Sequence, residues 1–385
     1  MATKPRARRK ASADNPASSL IAALKFIEPA QKKIGTHEQQ FCMMRNHWVV
    51  AFDGVLTIAT KIVEDLNACP HTLQLLDALS KCKDELTLAQ VSNVCLSVKS
   101  GAFNALIQCV DELEIAGPDP QCALIDDRVK TAFDAVLVLA TENAPNAVHA
   151  SVLLQAGSCV ATNGHALVEY WHGLDLPPNL LVPRQAATAV VKSKKPLTGF
   201  GFSQSSVTFY FDDGSFIKTQ LYKANYPDYL RIMNVPTNPF PLPHGFFSAV
   251  HAIESFNENG TVYFHKGIMS AGVRQGEATT YKVEGLTEDM AFNSKYLIML
   301  ELCIKTADFR PDEKRMFFFG DNARGAIMGM DLGDAKSRIE EEKEQTEDEE
   351  TTYINTLQPG ERTKEVATRT PRVSAWSDLD DDIPF

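Results

Sequence analysis

Ser206–Phe211 (SVTFYF), then Asp212-Asp213-Gly214, then Ser215–Leu221 (SFIKTQL) reads as two strands closed by a tight turn. Asp-Gly accepts the positive φ angles of a short hairpin, and the flanking residues alternate in polarity. Trp48–Phe52, Asp53-Gly54 and Val55–Ile62 repeat the pattern. Asn259-Gly260 followed by Thr261–Phe264 repeats it a third time. Between these hairpins lie apolar residues at helical spacing. The clearest case is Asp126–Thr141, where Val129, Ala132, Phe133, Val136 and Leu137 form one stripe and Asp126 or Asp127 can cap the start. His71–Lys83 is a second helix, with Leu73, Leu76 and Leu79 on one side. Leu20–Phe26, Gln185–Lys192, Gly245–Phe256 and Ser294–Lys305 bring the total to six. Three hairpins interleaved with six helices predict an internal repeat. The expected fold is α+β with three similar domains at 18–120, 121–236 and 237–332, preceded by a basic segment 1–17 and followed by an acidic tail 333–385.

Composition narrows the class. With 44% hydrophobic residues over 385 positions, the chain can build real cores. No apolar run is long enough for a transmembrane helix, and the N-terminus lacks the apolar centre of a secretion signal. The eight cysteines (42, 69, 82, 95, 109, 122, 159 and 303) show no metal spacing. They read as reduced thiols of a cytoplasmic protein. There is no phosphate-binding glycine loop, no His-Glu-x-x-His and no Gly-x-Ser-x-Gly, so no enzyme, metal or cofactor is expected.

The net charge of −11 is unevenly spread. Residues 331–385 carry 16 acidic and 7 basic side chains, whereas residues 1–10 carry 5 basic and no acidic ones. The body between is also net acidic, so any nucleic-acid contact must come from local basic patches. Pro5–Lys10 suits an arm touching phosphates. Residues 339–377 have linker composition, poor in apolar side chains, with a short helix expected near 335–344. The chain ends Asp378-Leu379-Asp380-Asp381-Asp382-Ile383-Pro384-Phe385. Carboxylates leading to an apolar tip suit a basic-rimmed apolar pocket, and the proline limits entropy lost on docking. The segment resembles the C-terminal tip of bacterial single-stranded DNA-binding proteins, which recruits replication and repair enzymes. The resemblance makes Asp380, Asp381, Asp382, Ile383, Pro384 and Phe385 a recruiting tip for proteins that bind that tail.

A second resemblance covers most of 18–332. Val160-Ala161-Thr162-Asn163-Gly164-His165-Ala166-Leu167-Val168 is followed by Leu181-Val182-Pro183-Arg184, Lys218–Leu221 and Asn225-Tyr226-Pro227-Asp228-Tyr229. Phe292-Asn293-Ser294-Lys295-Tyr296-Leu297 and Ala326-Ile327-Met328-Gly329-Met330 come later. This order is similar to that of the bacterial replicative sliding clamp, the β subunit of the main DNA polymerase. The family implies three domains of one topology, with helices on one face of antiparallel sheets. Two chains pair head to tail into a ring around duplex DNA and tether the polymerase without chemistry.

The resemblance also implies sites. Thr162, Gly164, His165 and Leu167, with Asn293 and Tyr296, and with Ala326, Met328, Gly329 and Met330, fall on the family's interdomain pocket. That pocket takes short hydrophobic peptides from the polymerase, the clamp loader and other partners. Val148 is a further wall residue. Basic residues expected to face DNA are Lys25, Lys32, Lys33, Lys81, Lys83, Arg128, Lys130, Arg184, Lys192, Lys295 and Lys305. The chain departs from the family pattern at four places. Asn163 and Ala166 replace an aspartate and an arginine, and Gly329 and Asp331 replace a proline and an arginine. Two positive charges near the pocket are thereby lost. The third unit also reads short, because Met316–Phe319 runs almost at once into Gly325–Met330. Three functions stay open: a processivity clamp with a recruiting tail, as a bacteriophage-encoded homodimer would use in an infected bacterial cell; a single-stranded DNA-binding protein; and a clamp-like interference protein that competes for host partners without encircling DNA.

Overall fold

In the computed structural model, residues 15–256, 260–272 and 278–330 are described. The basic arm, the acidic tail with its expected helix, and the tip lie outside them. The helices are α1 (Ser18–Ile27), α2 (His37–Gln40), α3 (Thr72–Ser80), α4 (Arg128–Leu137), α5 (Arg184–Lys192), α6 (Tyr229–Met233), α7 (Phe246–Glu254) and α8 (Ser294–Leu300). None is long and apolar enough to cross a membrane.

One element order is reiterated three times. The second unit runs strand (Gln121–Leu124), α4, three-strand meander (Ser151–Leu154, Ser158–Thr162, Ala166–Trp171), strand (Leu180–Pro183), α5, second meander (Leu197–Phe202, Ser206–Phe211, Phe216–Gln220). The third runs Phe240–Pro241, α7, Thr261–His265, Ile268–Ser270, Thr280–Lys282, Met290–Asn293, α8, Thr306–Arg310, Arg315–Phe319, Ala323–Met328. The first runs α1, Met43–Arg45, Trp48–Phe52, Leu56–Lys61, Cys69–Pro70, α3, Leu86–Ser92, Cys95–Ser100, Phe103–Val110. It lacks a leading strand among the described residues.

Continuous sheets weld the units. Leu56–Lys61 of the first pairs antiparallel with Phe216–Gln220 of the second, with Ile58 opposite Ile217. This makes a seven-stranded sheet. Ala166–Trp171 of the second pairs with Ala323–Met328 of the third, making an eight-stranded sheet. Each joint therefore matches the last strand of a first meander with the last strand of the next unit's second meander. The third unit is not short: it gives the joint sheet four strands, as the second does. The hairpin from Phe319 to Arg324 is simply tight.

The helices pack in pairs over the sheets, and a shared apolar core runs through all three units. The stripe expected on α4 is buried in full. On α3 the buried side is Thr72, Leu75, Ala78 and Leu79; of the expected stripe Leu79 is buried, whereas Leu73 and Leu76 are only partly so. The third hairpin also differs from expectation. Residues 257–259 lie outside the description, and the element before them is α7, the helix expected at Gly245–Phe256. The turn that joins Thr261–His265 to Ile268–Ser270 is Lys266-Gly267, both at positive φ. Asn46-His47 makes a similar turn that the sequence pattern did not flag, with φ of 53° and 60°.

Candidate functional site

The joint between the second and third units carries the candidate site. Alternation along a strand sends Leu167 to one face of the sheet and Ala166 to the other. Leu167 lies opposite Ala326, Val160 opposite Glu169, and Phe317 opposite Ala326. Leu153, Val160, Leu167, Leu181, Phe317 and Ala326 form an apolar cluster on that face. The segment between the units covers part of it, through Tyr229 and Met233 of α6 with Tyr226 and Val235 packed beside them. The family's arginine position is occupied by Ala166, 3% exposed on the core side.

A charged anchor holds this cover down. Glu169 is buried and accepts hydrogen bonds from Ser158 Oγ at 2.7 Å, Arg324 Nε at 2.8 Å and Tyr229 Oη at 3.2 Å. Arg324 also lies 5.2 Å from the Trp171 ring centre. Burial, and then the neighbouring Glu169 carboxylate, push the Tyr229 phenol up. Burial does the same to Tyr226, whose hydroxyl has no partner among the described residues.

The turn Asn163–His165 forms one end of the uncovered surface. Asn163 Oδ1 accepts from the amides of His165 and Ala166 at 3.0 and 2.9 Å. Thr162 Oγ donates to the Ala166 carbonyl and accepts from the Gly164 amide. Gly164 has φ of +88°, where a side chain would be strained, and the His149 ring lies beside it. His165 is exposed and stacks on Tyr296 at 6.0 Å between ring centres, 17° from parallel. Asn293 caps α8 by accepting from the Lys295 amide.

The closing strand is pinned to both neighbours. The Met328 amide donates to the His165 carbonyl, that of Gly329 to Lys314, and that of Met330 to Ala291. A Cβ on Gly329 would come within 3.2 Å of the Ala291 and Lys314 carbonyls. Met328 and Met330 are left 43% and 44% exposed as an open apolar shelf; Met328 shares a face with Ala326 and Leu167, and Met330 Sδ accepts from Thr261 Oγ1 at 3.2 Å. The structure thus gathers Thr162, Gly164, His165, Leu167, Tyr296, Ala326, Met328 and Met330 around one joint. Val148 is buried, and its neighbour His149 is the one beside the turn. Sequence matching alone did not find His149, Met233, Val235, Phe317 or Arg315. Arg315 is the register partner of Met328, and only its position across the sheet reveals it.

The basic residues fall into three groups. Lys25, Lys32, Lys33, Lys83, Lys192 and Lys295 are exposed. Lys81, Arg128, Arg184 and Lys305 pair with Asp77, Asp126, Glu142 and Asp321. Lys130 is largely buried, and its ammonium holds the Ser193 and Lys195 carbonyls and the Asp127 carboxylate. Its charge works inside the second unit. Among the described residues no cluster of three or more His, Cys, Asp or Glu could hold a metal ion.

This architecture is that of DNA polymerase III β sliding clamps. Residues of this chain superpose on the clamp of Pseudomonas aeruginosa with a TM-score of 0.69, at 14% identity, covering 82% of this chain and 98% of that one. The Bacillus subtilis clamp gives 0.70 at 12% identity, covering 82% and 97%. The Helicobacter pylori β clamp bound to a DNA ligase peptide gives 0.67 at 15% identity, covering 81% and 98%. No family model matches the sequence, and no curated relative does. The chain thus has a sliding-clamp fold under a strongly diverged sequence.

Proposed function

We propose that this protein is a DNA replication processivity factor: a homodimeric ring around duplex DNA, with domains at 18–120, 121–236 and 237–332. The observation that carries this reading is a pair of unmatched sheet edges. Both internal joints consume one first-meander end and one second-meander end. What remains is the second-meander end of the first unit, Phe103–Val110, and the first-meander end of the third unit, Thr280–Lys282. Along Phe103–Ile107 the outer side has no strand partner among the described residues, and Leu106 is 64% exposed there. Thr280–Lys282 is likewise an edge, with Tyr281 40% exposed. An exposed edge is a template for pairing with another chain. A second copy, placed head to tail, would repeat the internal joint at both ends and close the ring.

Within such a ring the exposed lysines on the helix side would meet phosphates, and topology rather than affinity would retain the DNA. The methionine shelf would take short hydrophobic peptides, as the Helicobacter pylori clamp takes a DNA ligase peptide. The tip Asp380–Phe385 would recruit proteins that bind the tail of the host's single-stranded DNA-binding protein, in keeping with a bacteriophage origin. The test is retention on DNA. A ring stays on nicked circular duplex and is lost when the circle is linearised, and its solution mass is that of two chains. Equal retention on both forms would overturn the reading. Partner binding by a monomer with no DNA retention would favour an interference protein.

A further inference from the structure

We propose that the shelf formed by Leu167, Ala326, Met328 and Met330 is a docking site for this chain's own C-terminal tip, Asp380–Phe385, so that tip and partner peptides exclude each other. The inference rests on the shelf being a peptide site. Three observations lead to it.

First, Met330 is a shelf residue, and 55 residues, Asp331–Phe385, follow it in the sequence. A chain of that length spans up to about 3.3–3.6 Å per residue, far more than is needed to return to its point of departure. A tether of this kind holds its end at an effective concentration of about a millimolar. The tip therefore meets this shelf at a concentration that dilution of the protein does not lower.

Second, the chemistries match. Phe385 and Ile383 are apolar and sit beside a proline that limits their conformations. Unbranched methionine side chains adapt to such groups.

Third, the shelf is bordered by unmet donors. Arg315 faces the same side of the sheet as Met328, with its guanidinium 5.7 Å from the Phe317 ring centre. Its Nε is buried and has no hydrogen-bond partner among the described residues. Its Nη1 pairs with Glu313 at 3.8 Å, which leaves the Nε–H unanswered. The Tyr226 hydroxyl, in the segment that covers the other part of this cluster, is also unpartnered among the described residues. A buried donor without an acceptor costs about 1–3 kcal/mol. The tip brings Asp380, Asp381 and Asp382. Arg315, on the neighbouring strand, places one positive charge beside Met328.

The test compares the full chain with a form lacking residues 380–385. A labelled peptide of residues 378–385 is titrated into each and followed by fluorescence anisotropy. If the free peptide binds at 10–100 μM, millimolar self-competition weakens its apparent affinity for the full chain by about 10–100-fold. Met328→Glu in the shortened form should abolish binding. Methyl NMR should show that deleting the tip shifts the Met328 and Met330 resonances while the other methionines stay put. Equal affinity for both forms would overturn the proposal, as would tip binding that survives Met328→Glu. The DNA ligase peptide serves as the independent probe. If it binds both forms equally while the tip peptide binds neither, self-docking is refuted and the peptide site stands. If neither peptide binds, the shelf itself fails, and the circular-DNA assay still judges the ring.

Discussion

Arg324 offers the most direct test of how the second and third units are joined. Its guanidinium reaches across the joint to Glu169, with Nη2 at 2.7 Å and Nε at 2.8 Å. The carboxylate side chain is 5% exposed and that of the arginine 20%. Arg324→Met removes the cation and leaves a buried carboxylate with only the Ser158 and Tyr229 hydroxyls. Stranding one member of a buried pair costs about 3–5 kcal/mol. The loss should be local, because Glu169 and Arg324 are register partners in the joining strands. Amide hydrogen exchange along 166–171 and 323–328 reads it directly. At about 1.4 kcal/mol per decade, exchange there should accelerate by about 10²- to 4 × 10³-fold while amides of the first unit keep their protection. The double variant Glu169→Leu/Arg324→Met should recover most of the loss, since an apolar pair of similar size replaces a buried ion pair at little net cost. Exchange in Arg324→Met within about threefold of the parent would refute the anchoring role. So would a double variant as labile as the single.

Other outcomes follow from the same geometry. Leu106→Asp places a charge on the unmatched edge, and the proposed dimer should dissociate to monomers by light scattering without loss of secondary structure. Gly325→Ala puts a methyl within 2.2 Å of the Leu167 carbonyl and closer still to the Phe318 ring; a loss of about 1–3 kcal/mol is expected from overpacking, read as a lower urea midpoint. Asp119 gives an acid dependence. Burial raises its carboxyl, but hydrogen bonds from Ser206 and Thr208 and the charge of Lys218 outweigh that and hold it below its ordinary value of 3.8. Its contribution is present above 3.8 and is lost as pH falls through the folded-state value. Asp119→Asn should therefore lower stability at pH 7 and flatten its dependence on pH below 4, as measured by urea midpoints. Among the eight cysteines only Cys122 is exposed, while burial pushes Cys42 to about 12 and Cys109 to about 11. Brief maleimide treatment of the native protein should label Cys122 first, as peptide mapping would show.

Local chemistry decided much of this molecule. Asp-Gly turns, the apolar stripe of α4 and the helix that follows Pro183 are all legible in sequence, because each depends on residues within one turn or a few positions. So is the threefold reiteration, since each unit carries its own signals. The order of motifs from Val160 to Met330 was enough to point to a clamp fold at 11–15% identity to solved clamps. Boundaries and stripes shifted where local rules compete: α3 buries Leu75 rather than Leu73 and Leu76 because its sheet, not its own periodicity, chooses the face. Asn259-Gly260 carries hairpin chemistry, yet a helix precedes it, and the turn passed to Lys266-Gly267.

Only the tertiary structure decided which residues share the shelf. Arg315 and Met328 stand 13 positions apart, and Glu169 and Arg324 stand 155 apart. Pairing across a sheet is set by register between distant strands, and one residue of slip would send every one of these side chains to the opposite face. The same holds for Lys130: its sequence position suggests a solvated helix charge, whereas its surroundings bury it among carbonyls. Sequence fixes what a segment can form because those energies are local. Which segments then meet, and with which faces, depends on burial summed over the whole chain.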